Sequence, residues 1–111
     1  MEKFRYPSEC PFNVSRAGKV RQILNSMGLL TGPGRMEIAP AIAGRLALKK
    51  FHSARYLYVL RETARGHFNS DAYSMGIGTP DCPIFQDMYD YSAWACGATL
   101  TGVKLILSGK A

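Results

Sequence analysis

Side chains able to do chemistry are few in these 111 residues, and they do not converge. His52 and His67 are far apart, and neither has a companion at metal-ligand spacing. His52 directly precedes Ser53, a helix-capping residue type, which suits a structural place against a helix terminus, while His67 falls in a loop and should face solvent. Cys10, Cys82 and Cys96 include no Cys-x-x-Cys pair, so reduced, packed thiols are expected and neither a disulfide frame nor a zinc knuckle. No His-Glu-x-x-His, phosphate-binding loop or nucleophile elbow is present. One carboxylate stands out by its setting. Asp81 lies in Gly76-Ile77-Gly78-Thr79-Pro80-Asp81-Cys82-Pro83-Ile84-Phe85, an irregular stretch of the kind that carries binding residues on rigid scaffolds. A carboxylate there can accept two N–H bonds and orient a ligand, or it can simply tighten the turn before Pro83.

The net charge of +6 raises the question of acidic partners. The cations are dispersed, as Arg16, Lys19 and Arg21, then Arg45, Lys49 and Lys50, then Arg55, Arg61 and Arg65. Nucleic-acid surfaces concentrate such residues on one face, so nucleic acid is not an expected partner. Arg45, Lys49 and Lys50 make a local basic patch that a solvated helix face explains equally well.

The elements that would position these groups are mostly helical. Residues 1–12 lack a period and read as an extended arm. Asn13 or Ser15 can cap a helix from about Arg16, whose stripe Val20, Ile23, Leu24 and Met27 ends at Gly28. Leu29 and Leu30 would fold back on that stripe. Thr31-Gly32-Pro33-Gly34 is a turn, and residues 36–39 could form a short edge strand before Pro40. A second helix is expected over residues 41–50 with Ile42, Ala43 and Leu46 inward. Ser53 caps a third, with Tyr56, Leu57, Leu60 and Ala64 buried, Arg55, Glu62 and Arg65 wet, and Gly66 as its stop. Residues 67–83 read as a loop with at most a helical turn at 70–74. The last helix should cover 84–107, with Met88, Tyr91, Ala95, Ala98, Leu105 and Ile106 inward and Ser108-Gly109 as its end. Ser92, Ala93, Cys96, Gly97 and Gly102 leave it slim enough for another backbone to approach.

Length and 47% hydrophobic content allow one modest core, so residues 1–111 are read as a single domain. No window is apolar enough to span a bilayer, and residues 1–7 lack the core of a secretory signal. A cytoplasmic protein with no membrane partner is expected.

Taken in order, these pieces resemble the N-terminal part of the histone deacetylase superfamily, nearest in pattern to the bacterial acetoin-utilization type. The matching residues are Pro11-Phe12-Asn13 with Arg16, Gly28-Leu29-Leu30, Pro40 with Ala43, Phe51-His52-Ser53 with Tyr56-Leu57, Tyr73 through Phe85, and Gly97-Ala98-Thr99 with Ser108-Gly109-Lys110-Ala111. The resemblance implies a rim role for Asp81, accepting backbone N–H groups of an acylated substrate. It implies a place at the foot of the active-site tunnel for Arg16, which a first-turn surface arginine would equally explain. Phe12, Pro80 and Ile84 would line the same region.

Departures accompany the match. Only a short arm precedes Pro11, and Gly44-Arg45-Leu46 stands where the family carries acidic residues. The family's paired histidines, zinc ligands and transition-state tyrosine would fall beyond Ala111, so the resemblance implies no catalytic or metal residue and no cofactor here, although the family uses zinc. The expected architecture is mainly α, about four helices with long loops, equivalent to the N-terminal helical part of the α/β arginase/deacetylase fold. There such helices cover a parallel sheet, so their apolar faces call for another cover, and a homodimer or a partner chain is expected. The expected function is that of a deacetylase-like fragment, truncated and inactive alone. The alternative is a stand-alone helical interaction or small-ligand-binding module, with a basic nucleic-acid binder as the less favoured third reading.

Overall fold

The computed structural model describes residues 4–8, 10, 13 and 15–110, and among them there are five helices and no strand. They are α1 (Ser15–Ser26), α2 (Arg45–Leu48), α3 (Ala54–Ala64), α4 (Ser70–Ser74) and α5 (Met88–Leu107). The mainly α expectation holds, and the fifth helix is the turn foreseen at 70–74.

α3 is the hub, packing on both α4 and α5. Its start is set by Ser53, whose hydroxyl accepts the Tyr56 N–H at 3.1 Å. Its end is set by Gly66 at φ 90°, where the His67 N–H returns to the Glu62 carbonyl at 2.9 Å. Leu57 and Leu60 are buried as expected, and Tyr56 and Ala64 are half-buried. Val59 and Thr63 are buried as well, because a helix flanked on two sides hides a wider arc than a single stripe. One core patch joins Val59, Leu60, Ala72, Ile77 and Met88, and a second joins Ala43, Leu48, Leu57 and Ala93. Tyr56 and Tyr89 touch both.

α2 is shorter than the expected 41–50. The Ala41 N–H donates to Thr101 Oγ1 at 3.1 Å and the Ala43 N–H to the Ala93 carbonyl at 3.0 Å, which lays residues 41–43 along α5, and the extended Gly44 (ψ 159°) puts the first helical turn after them. The register changes with it: Ala43 and Leu48 are buried, while Ile42 and Leu46 are exposed, against expectation. Residues 35–44 run without helix or sheet pairing, so the edge strand considered for 36–39 is absent.

α5 begins at Met88, not at 84. Asp87 takes a left-handed φ of 63°, and a turn from Phe85 to Met88 (3.2 Å) leads into the helix. The buried face is also rotated from the expected stripe. Met88 is buried, Tyr91, Ala95 and Leu105 are half-buried, but Ala98 and Ile106 are exposed. The small residues Ala93 and Gly97 occupy the packed line instead. The close backbone approach foreseen for this slim helix is made there by residues 41–43.

α1 stands largely apart from this core. Asn13 Oδ1 accepts the Ser15 N–H at 2.9 Å, and Gly28 (φ 67°) closes the helix with the Leu29 N–H on the Leu24 carbonyl at 2.9 Å. A two-pronged Arg21–Glu37 pair at 2.7 and 2.9 Å and an Arg35 bond to the Gly28 carbonyl at 2.8 Å tie it to the following stretch. Its stripe is not covered: Val20, Ile23 and Met27 are 55%, 58% and 63% exposed. The whole chain shows 8206 Å² of surface, roughly a third more than the about 6,100 Å² expected of a compact 12.2 kDa monomer. Its radius of gyration of 16.5 Å likewise exceeds the about 13 Å of a compact domain this long.

Candidate functional site

The segment around Asp81 is anchored from below. Ile77 is fully buried between α3, α4 and the start of α5, and its N–H donates to the Ala72 carbonyl at 2.9 Å. The backbone then doubles back: the Gly78 N–H donates to the Cys82 carbonyl at 2.9 Å and the Cys82 N–H to the Thr79 carbonyl at 3.0 Å. Thr79 Oγ1 adds a second brace, donating to the Gly76 carbonyl at 3.1 Å and accepting the Cys82 N–H at 3.2 Å. Gly78, at φ 93°, lies against the Ile84 side chain, which a Cβ would meet at 3.3 Å.

Pro80 and Asp81 form the exposed tip of this turn. The Asp81 carboxylate makes no hydrogen bond or ion pair among the described residues. Thr79 tightens the turn, so the other reading of Asp81, as a turn brace, is not what the geometry shows. A carboxylate held on a braced loop, with both oxygens open, can accept two N–H donors from a ligand without reorganising.

The N-terminal arm buttresses the same region. Phe4 is buried, and Tyr6 lies 4.6 Å from the Phe85 ring and 5.4 Å from Tyr91. Burial first, then the Tyr91 hydroxyl, push the Tyr6 phenol up to about 12, so it stays protonated across the physiological range. The arm therefore packs against Phe85 and Tyr91. The sequence reading missed this, although Phe4 and Tyr6 flanking Arg5 already alternate as an extended segment with one packed side would. Ile84 and Phe85 line an open groove of about 580 Å³ together with Thr63 and Arg65.

The remaining candidates are not brought together. Arg16 is exposed in the first turn of α1, and no hydrogen bond or ion pair joins its guanidinium to the Asp81 turn. Phe12 lies outside the described residues. His52 stacks on Tyr56 at 5.1 Å and meets Phe51 edge-on at 4.9 Å, a packing role as expected. His67 is exposed, and its Nδ1 lies 3.0 Å from Glu62, whose carboxyl it holds below the usual range. All three cysteines are free, and burial pushes the Cys82 thiol up. Among the described residues no group of three or more His, Cys, Asp or Glu side chains could hold a metal ion.

The described residues thus offer a helical layer with an uncovered apolar stripe on α1 and a braced turn carrying a free carboxylate. The chain's family follows from comparison. The family model described as the histone deacetylase domain matches residues 10–111, and the chain belongs to this family. It is similar to Histone deacetylase 8 of Xenopus tropicalis, 32% identical over 96 residues that make up 86% of this chain and 26% of that protein. It is also similar to Acetoin utilization protein AcuC of Bacillus subtilis (strain 168), 25% identical over 111 residues covering 99% of this chain and 28% of that protein. The chain thus spans about a quarter of the length of the curated relatives it matches. No solved structure matches it significantly.

Proposed function

We propose that this histone deacetylase-like chain, of the acetoin-utilization type, supplies the substrate-facing rim of a deacylase site and has no deacetylase activity by itself. The observation that carries the reading is the Asp81 carboxylate, exposed on a turn whose own hydrogen bonds are made by Gly78, Thr79 and Cys82. It would accept backbone N–H groups beside the acylated side chain, with Pro80 shaping the tip and Arg16 at the tunnel foot. Zinc would polarise the acyl carbonyl in the family's reaction. The described residues do not fit that ion, since they bring no three ligating side chains together. The three free thiols suit a reducing, cytoplasmic setting.

The purified chain, supplied with zinc and an acetyl-lysine peptide, is expected to show no turnover. The peptide is nevertheless expected to raise its melting temperature, through binding to the folded state alone. Asp81→Asn should weaken that binding about tenfold or more, as loss of a charged acceptor does. Robust hydrolysis by the chain alone would overturn the first claim, and an undiminished peptide shift in the variant would overturn the second.

The uncovered α1 stripe favours one addition, the interaction-module reading, with a second copy as cover. A stable interface needs about 800 Å² from each partner, and the surplus surface exceeds that. Light scattering should give twice the monomer mass at micromolar concentration; monomer mass throughout would remove the homodimer.

A further inference from the structure

We propose that α2 and the turn after it form a peripheral docking site for an anionic lipid surface. Residues 10–61 carry nine Lys and Arg against the single carboxylate Glu37, while the rest of the chain carries five against seven. Such an imbalance along the sequence points to an anionic partner. Within that half, Arg45, Lys49 and Lys50 cluster on one short element, and none of them is in an ion pair among the described residues.

The element's apolar side chains say which anionic surface it fits. Leu46 and Phe51 are 83% and 89% exposed, the two most exposed large hydrophobic side chains among the described residues. Helical hydrogen bonding runs on past α2, from the Lys49 N–H to the Arg45 carbonyl at 2.9 Å and from the His52 N–H to the Leu48 carbonyl at 2.9 Å. Leu48 faces the core. At about 100° per residue, Leu46 and Lys50 therefore straddle the direction opposite Leu48, with Lys49 beside them. A protruding leucine with unpaired Lys49 and Lys50 beside it suits a headgroup layer, which offers phosphate to the cations and acyl chain to the leucine. A nucleic-acid backbone offers nothing to Leu46. A second copy would set the two cation clusters against each other across a twofold axis. No helix of the described residues is long and apolar enough to cross a membrane, and a surface contact needs none.

The test is sedimentation of the purified chain with vesicles of phosphatidylcholine, alone or with phosphatidylglycerol. Binding is expected on the mixed vesicles, severalfold weaker at high salt, and negligible on phosphatidylcholine alone. Each lysine near such a surface contributes about fivefold, so Lys49→Glu with Lys50→Glu should reduce partitioning at least about 25-fold. Leu46→Ser should reduce it about tenfold with an unchanged melting curve, because that side chain already stands in water. Equal binding to neutral vesicles would overturn the proposal, as would full binding by the Leu46→Ser variant. Displacement from the vesicles by a DNA duplex would assign the patch to nucleic acid instead. A dimer mass that Leu46→Ser abolishes would assign it to a second copy.

Discussion

Gly97→Ala is expected to destabilise the chain by about 1–3 kcal/mol, the cost of overpacking a close contact. The direction is the reverse of what helix propensity predicts, since alanine in place of a helix-interior glycine normally stabilises by about 1 kcal/mol. At Gly97 the added Cβ would overlap the Ala41 carbonyl oxygen and crowd the Ala43 nitrogen. These are backbone atoms fixed by the Ala43 bond to Ala93 (3.0 Å) and the Ala41 bond to Thr101 (3.1 Å), so no side chain can swing aside. Relief requires residues 41–43 to lift from α5, which exposes Ala43 and loosens Leu48. Gly102→Ala, five positions on in the same helix, meets nothing within 4 Å and should stabilise by about 0.5–1 kcal/mol. Urea unfolding of the two variants separates the effects, and Gly97→Ala at or above the wild-type midpoint would refute the packing account. Faster amide exchange at Ala43 is the local signature expected.

What could be read from sequence divides along the range of the interaction. The cap at Ser53, the stops at Gly28, Gly66 and Gly109, and the slim middle of α5 are consequences of a few neighbouring residues, and they stand where they were expected. The register of α2 is different. Ala41 to Lys50 has the composition of a helix, but residues 41–43 are held along α5 by acceptors far along the chain and Gly44 is extended. The same holds for the buried face of α5: hydrophobicity favoured Tyr91 and Ile106, whereas proximity to the 41–43 backbone selected Ala93 and Gly97. At the candidate site, the place of Asp81 on a loop tip was legible because Gly76, Gly78 and Pro80 punctuate the chain so heavily. That Thr79 and not Asp81 braces the turn was not, since both residue types make such bonds. Arg16 and Asp81 are tied to each other by no contact in the structure. Sequence order alone linked them, so any joint role rests on the family's pattern.

Ile77→Ala tests how closely the rim depends on the core, with an expected loss of about 2–4 kcal/mol. Ile77 is fully buried and packs with Val59, Leu60, Ala72 and Met88, so truncation leaves a cavity walled by three helices. For a domain with so little core, that loss is a large share of all the stability it has. The consequence for Asp81 follows from the backbone on either side. Gly76 and Gly78 both hold positive φ, at 78° and 93°, and the fully buried side chain between them is Ile77. Without it the turn keeps its Thr79 and Cys82 bonds but loses the anchor that fixes their position over α4. Ile77→Val should cost only about 0.5–1.5 kcal/mol and leave the turn in place. Amide exchange at Gly78 and Cys82 distinguishes the outcomes. Protection that falls in Ile77→Ala and survives in Ile77→Val means the core sets the carboxylate's position, whereas protection unchanged in both would mean the turn is self-sufficient and Asp81 is held by its local hydrogen bonds alone.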